Sequence, residues 1–114
     1  MLREVLQSKI HKATVTEADI DYIGSITIDI SLLERIDLWP GQKVIVVSNT
    51  SGHRLETYVI AGARNSGMIC MNGAAAHLIK KGDEVIIFSY ALSDRPIKPK
   101  CILVDSKNIY VQDL

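Results

Sequence analysis

Three observations predict a mainly β domain assembled from two similar halves. Apolar residues fall in short runs that either alternate with period two or consist of branched side chains, as half-buried and fully buried strands do. Helical spacing is confined to brief pieces. One pattern also occurs twice: Leu38-Trp39-Pro40-Gly41-Gln42-Lys43-Val44-Ile45 matches Ile79-Lys80-Lys81-Gly82-Asp83-Glu84-Val85-Ile86, and each copy follows a strand, a polar cap (Asp29, Asn72) and a short helix. Two units of this size, neither able to close a core alone, pack together as one pseudo-symmetric barrel.

The elements follow in order. Met1 to Ile10 mixes apolar and basic residues, and the next ten residues carry Ala13, Val15 and β-branched threonines, a strand running toward a turn. Ser25 to Asp29 alternates with period two. Asp29 or Ser31 caps a short helix over Leu32 to Ile36, which Trp39-Pro40-Gly41 ends. The branched run Lys43 to Val47 is a buried strand, and Asn49-Thr50-Ser51-Gly52 a turn. Arg54 to Ala61 alternates again, with Leu55, Thr57 and Val59 on one face and Glu56, Tyr58 and Ile60 on the other. Gly62 to Gly67 is a polar loop, Met68 to Met71 a strand, and Asn72 to Leu78 a short helix capped by Asn72. Lys81-Gly82-Asp83 turns into the strand from Glu84 to Phe88. After a Pro-containing loop, strands around Ile102 to Val104 and Ile109 to Val111 flank a hairpin turn at Asp105 to Asn108.

Composition narrows the function. The chain has 114 residues, one domain's worth, and is 47% hydrophobic, enough apolar material for a core. At this size part of the stability is expected from burial between subunits. Lys+Arg and Asp+Glu number 13 each, without the basic excess of a nucleic-acid or membrane-surface binder. Aromatics at 5% are too few for a base-stacking platform. Cys70 and Cys101 lie in apolar runs with no CxxC, the pattern of small buried hydrophobes in a reducing compartment, so no metal is expected. No signal-peptide pattern or membrane-length apolar run is present, and a soluble, cytoplasmic protein is expected.

Familiar catalytic motifs are missing. No GxSxG, phosphate loop, HExxH or EF-hand pattern occurs, and the three histidines His11, His53 and His77 do not sit in a hydrolase context. Gly24-Ser25 offers different chemistry. A serine hydroxyl can add to the carbonyl before it when that peptide is strained and its oxyanion receives donors. The amide becomes an ester, elimination cuts the chain, and the dehydrated residue hydrolyses to a pyruvoyl group, a cofactor made from the chain itself. Taken singly, the surrounding residues are ordinary. Lys9, Lys12 and Arg54 read as solvated charges, Arg54 pairs with Glu56 on one strand face, Tyr58 is a half-buried strand tyrosine, and Asn72-Gly73-Ala74-Ala75-Ala76 is a capped helix.

Together they resemble a known family. Ser8-Lys9-Ile10-His11-Lys12-Ala13-Thr14-Val15-Thr16-Glu17-Ala18-Asp19, Tyr22-Ile23-Gly24-Ser25-Ile26-Thr27-Ile28-Asp29, Arg54-Leu55-Glu56-Thr57-Tyr58 and Asn72-Gly73-Ala74-Ala75-Ala76 are similar to pyruvoyl-dependent aspartate alpha-decarboxylases, in order over about residues 1 to 90. The resemblance implies a six-stranded double-psi β-barrel, a homotetramer with sites between neighbouring subunits, and conversion of L-aspartate to β-alanine and carbon dioxide for pantothenate and coenzyme A synthesis. It implies a single domain, 1–114, cut between Gly24 and Ser25 into a β-chain 1–24 and an α-chain 25–114, in some members with a maturation helper protein. Ser25 then becomes the pyruvoyl group that forms a Schiff base with the substrate amine. Tyr58 is the implied proton donor. Thr57 bonds near the Gly24 carbonyl during cutting and later lines the substrate site. Lys9 and Arg54 bind the two substrate carboxylates, in either assignment. The backbone N–H groups of Gly73, Ala74 and Ala75 form an anion site, and His11 supports maturation. The competing expectation is a small β-barrel binding module without chemistry.

Overall fold

The computed structural model describes residues 1–114. Nine strands and one α-helix occur in the order Arg3–Thr14 (β1), Glu17–Asp19 (β2), Ser25–Asp29 (β3), Ile30–Arg35 (α1), Lys43–Ser48 (β4), Arg54–Gly62 (β5), Ile69–Asn72 (β6), Glu84–Ser93 (β7), Lys100–Val104 (β8) and Tyr110–Asp113 (β9). A 3-10 turn, Gly73–His77, separates β6 from β7. The mainly β class holds, with nine strands where six were expected. They form one hydrogen-bonded array in the order β2-β6-β3-β5-β4-β7-β1-β8-β9. The additional strands have a simple cause. The first strand bends at Val15-Thr16 and continues as β2 against β6, and the C-terminal hairpin β8–β9 adds to the outer edge of β1 through parallel pairing.

The repeat seen in the sequence is a repeat of hydrogen bonds. Gly41 donates to Val59 O at 2.7 Å while Val59 donates to Gln42 O at 3.1 Å. Gly82 donates to Val15 O at 2.8 Å while Val15 donates to Asp83 O at 2.9 Å. The side chains of Gln42 and Asp83 each accept from the backbone three residues back, at Trp39 N (3.1 Å) and Lys80 N (3.0 Å). Both turns place their glycine in left-handed backbone, φ +87° and +90°, which a side chain disfavours.

Alternation decides what each strand buries. Ile26 and Ile28 of β3, Val44 and Val46 of β4, Val59 of β5, Ile69 and Met71 of β6 and Val85 and Ile87 of β7 meet in one core with Leu32, Leu33 and Ile36 from the α1 segment. Each such side chain contributes roughly 1.5–3 kcal/mol by leaving water. The residues between them, Ser25 and Thr27 among them, face the other side of the sheet.

Asp29 rather than Ser31 caps α1. Its carboxylate is 2% exposed and accepts from Ser31 N (2.8 Å), Ser31 Oγ (2.7 Å), Asn65 N (3.0 Å) and Gly67 N (2.9 Å), so one side chain starts the helix and holds the loop 63–68. Asn108 ties the C-terminal hairpin down in the same manner. Its side chain accepts from Thr14 N at 2.7 Å and donates to Thr14 O and Gly67 O, each at 2.8 Å.

Burial alone pushes the Asp29 pKa up, and the hydrogen bonds from Ser31, Gly67 and Asn65 outweigh it, leaving the carboxyl below its ordinary 3.8. A depressed folded pKa adds stability that is fully present above the unfolded value and is lost as pH falls through the folded one. Urea unfolding from about pH 5 to about pH 2 is therefore expected to show an acid loss of stability that is shallower in Asp29→Asn, with that variant already less stable at neutral pH.

Candidate active site

The chain runs exposed from Ile20 to Gly24 and turns inward at Ser25, which is fully buried as the first residue of β3. Antiparallel pairing with β6 sets Ser25 opposite Asn72 and Thr27 opposite Cys70. The Asn72 amide, 2% exposed, donates to Ser25 Oγ at 2.9 Å and to Thr27 Oγ1 at 3.0 Å. Ser25 in turn donates to Ile23 O at 2.9 Å. The serine hydroxyl is thus gripped from both sides, its proton on one backbone carbonyl and its lone pair on an amide.

Gly73 presses on the same loop. It has φ +75°, and a Cβ there would lie 2.7 Å from Gly24 Cα and 2.9 Å from Gly24 N. Nothing lies within 4 Å of where a Gly24 Cβ would be. The approach therefore requires the absence of a side chain at 73, not at 24. The helix expected from Asn72 onward is this 3-10 turn, and Asn72, in extended backbone at φ −114° and ψ 143°, makes no side-chain capping bond. Its amide is engaged across the sheet instead. With only five residues and an opening glycine in left-handed backbone, Gly73-Ala74-Ala75 lacks the aligned first turn of an α-helix.

The other candidate residues fall into two groups. Parallel pairing of β3 with β5 begins with Ile26 beside Val59, so the residues before them, Ser25 and Tyr58, share the face away from the core. Tyr58 is 39% exposed. Thr57 points to the opposite face, paired with Val44, and makes no hydrogen bond to Gly24. Arg54 stands four residues from Tyr58 on β5, about 13 Å along the strand, with its guanidinium 5.4 Å from the centre of the Phe88 ring. Lys9 of β1 is opposite the same Phe88. Phe88 is thus a neighbour of both, under the Arg54 guanidinium and beside Lys9 in the register. Glu56 pairs with Lys43 at 3.1 Å and not with Arg54, because Lys43 lies on the adjacent strand, opposite Tyr58. That leaves the Arg54 guanidinium free of a carboxylate. His11 lies on β1 opposite Leu103, its Nδ1 buried without a partner and not bonded to Gly24 or Ser25.

A cavity of about 660 Å³ opens beside the serine, with Thr27, Asn72, Cys70, Tyr22, Glu17 and Met68 in its wall. Nowhere do three or more His, Cys, Asp or Glu side chains gather as a metal would require. No helix is long and apolar enough to cross a membrane.

The profile of the aspartate decarboxylase family matches residues 1–111. This chain belongs to the aspartate decarboxylase family. It is 54% identical over 112 residues to an aspartate 1-decarboxylase of Acetivibrio thermocellus, covering 95% of this chain and 89% of that protein. It is 54% identical to one from Neisseria meningitidis, covering 95% and 88%. Against one from Staphylococcus aureus it is 48% identical over 116 residues, covering 98% and 91%. Membership of the decarboxylase family agrees with the resemblance carried by the Gly24-Ser25, Thr57-Tyr58 and Asn72-Gly73 segments. Within those segments the sequence did not single out Asn72 as a partner of the serine, nor Thr27 and Cys70 beside it. The available signal was the repeat, which puts Asn72 where its counterpart Asp29 caps a helix.

Gly73→Ala is expected to lose about 1–3 kcal/mol of stability in chemical denaturation, from left-handed backbone and the clash with Gly24. Gly24→Ala, with open space around it, is expected to stay within about 0.5–1 kcal/mol of the parent by the same measurement.

Proposed function

We propose that this chain is a self-processing decarboxylase that converts L-aspartate to β-alanine and carbon dioxide, with a pyruvoyl group derived from Ser25 as its cofactor. The observation that carries the reading is the buried Ser25 hydroxyl, held by Asn72 at 2.9 Å, next to a Gly24 so near Gly73 that a Cβ at 73 would lie 2.7 Å from its Cα. The reading adds a double-psi barrel, for which the two equivalent glycine turns and the bond from Thr16 N to Ile69 O (2.7 Å), linking the end of β1 to β6, speak. It adds work in the cytoplasm on behalf of pantothenate and coenzyme A synthesis, as a homotetramer and with or without a helper protein for maturation.

Processing starts when Ser25 Oγ adds to the Gly24 carbonyl carbon. The tetrahedral adduct expels the Ser25 nitrogen, which takes up the hydroxyl proton, and an ester replaces the amide. Loss of the Ser25 Cα proton with cleavage of its Cβ–O bond frees the Gly24 carboxylate and leaves a dehydrated residue 25. Water then adds and ammonia departs, giving β-chain 1–24 and a pyruvoyl-capped α-chain 25–114. Ser25 must surrender its bond to Ile23 O before it attacks, and Asn72 keeps its oxygen in place meanwhile. Thr57 bonds the Gly24 carbonyl as charge develops on it, and His11 supports the proton movements.

Once formed, the pyruvoyl ketone supplies an electron sink for a substrate held through its amine. The remaining work belongs to side chains. Lys9 and Arg54 bind the substrate carboxylates, the planar guanidinium gripping both oxygens of one. An adjoining copy completes the site. Gly73, Ala74 and Ala75 offer backbone N–H groups to the carboxylate nearest residue 25, and Thr57 lines the substrate. Tyr58, on the same face of the sheet as residue 25, gives its phenolic proton to the substrate carbon after carbon dioxide leaves.

Intact-mass measurement of the folded protein is expected to show two fragments split between Gly24 and Ser25, the larger trapped by a hydrazine. Ser25→Ala is expected to remain whole and release no carbon dioxide from aspartate. An uncut wild type that also leaves aspartate untouched would favour a binding module instead. Tyr58→Phe is expected to cut normally while kcat falls about 10²–10⁴-fold, since only turnover needs the phenolic proton. Wild-type kcat in that variant removes Tyr58 from the mechanism.

A further inference from the structure

Asn72 reaches Ser25 through an amide whose two faces differ in only one respect. Both of its N–H bonds are spoken for, by Ser25 Oγ at 2.9 Å and Thr27 Oγ1 at 3.0 Å. Its Oδ1 receives one side-chain hydrogen bond, from the Cys70 thiol with sulfur at 3.1 Å. Cys70 stands on β6 two residues before Asn72, opposite Thr27, so thiol, amide and both hydroxyls lie together on the face of the sheet away from the core. An amide can turn about its Cβ–Cγ bond and exchange oxygen for nitrogen. Turned over, Oδ1 would face the two hydroxyls, and each can rotate to donate to it. Ser25 would then give its proton to Asn72 instead of Ile23 O and receive nothing in return. The thiol opposes that turn: Oδ1 would lose its donor, and the N–H put in its place would meet a sulfur that accepts only weakly.

Resting on the processing reading above, we propose that Cys70 is a positioning residue for the self-cleavage: its thiol holds the Asn72 amide with N–H toward Ser25 Oγ, while Thr27 accepts the second N–H and steadies the amide's position. Burial first, and then the negative charges of Glu17 and Asp19, push the Cys70 thiol pKa up, which keeps the proton on sulfur at neutral pH. Cys70 also lies in the wall of the cavity beside the serine, so its replacement changes a surface residue of that cavity and not the core.

The test follows self-cleavage of the full chain by intact mass after folding, in wild type, Cys70→Ala, Cys70→Ser and Thr27→Val, with melting temperature recorded for each. Cys70→Ala is expected to cut about tenfold more slowly than wild type, and Thr27→Val more slowly as well, each with little change in melting. Cys70→Ser, which keeps a donor, is expected to cut within about threefold of wild type. Should Cys70→Ala fail to fold, Cys70→Val, which fills the space without donating, carries the same expectation. A merely structural cysteine would move melting and cutting together and would not be rescued by serine. Wild type that cuts while Cys70→Ala and Cys70→Val cut equally fast overturns the role of Cys70 and leaves the processing reading standing. Wild type that never cuts overturns the processing reading, and this inference with it.

Discussion

The pairing of β3 with β6 is the constraint on which the site depends. It sets Ser25 opposite Asn72, and everything local to the serine follows from that register. A slip of one residue would send Ser25 to the core and Ile26 to the outer face. The register is protected because Ile26 and Ile28 on one strand and Ile69 and Met71 on the other are all fully buried. Hydrophobic burial thus fixes the position of a hydroxyl that it never touches. The amide of Asn72 adds direction, and Gly73, immediately after it, brings the backbone against Gly24.

The two halves of the fold share one architecture and have diverged at one telling position. Asp29 ends β3 as Asn72 ends β6, and each stands before a short helical segment. Asp29 spends its carboxylate on Ser31 N and on the loop 63–68, and a regular α-helix follows. Asn72 turns its amide across the sheet, and only a 3-10 turn follows. The Asn72 amide gives both N–H bonds to Ser25 and Thr27 and takes the Cys70 thiol on its oxygen, so it caps no backbone N–H. The less regular half is therefore the half that handles the serine.

Charge is distributed to match. Lys43 pairs with Glu56 between Arg54 and Tyr58 on β5, while Arg54 rests over Phe88, the residue paired with Lys9 across β1 and β7. Arg54 is left without a carboxylate partner, and the Ser25 hydroxyl is buried on another strand.

Period-two alternation, branched runs and paired glycine turns were enough to specify strands, turns and the two-fold repeat, because these are set by neighbours along the chain. The Gly24-Ser25 pair was legible for the same reason: its two residues are adjacent in sequence. Strand number was less legible at β2, which arises from a bend in the first strand, whereas β8 and β9 were readable as strands and only the edge of β1 that β8 joins was not. Asn72 as partner of Ser25, 47 residues away, was hidden for a stronger reason. Asn before Gly-Ala-Ala-Ala has the local pattern of a helix cap, and local pattern carries no information about which strand will lie alongside. Likewise the sequence allowed Arg54 to pair with Glu56, and packing decided otherwise by laying Lys43 against it. Short-range order belongs to the sequence of this protein; the company its serine keeps was decided by strand register, which long-range burial alone sets.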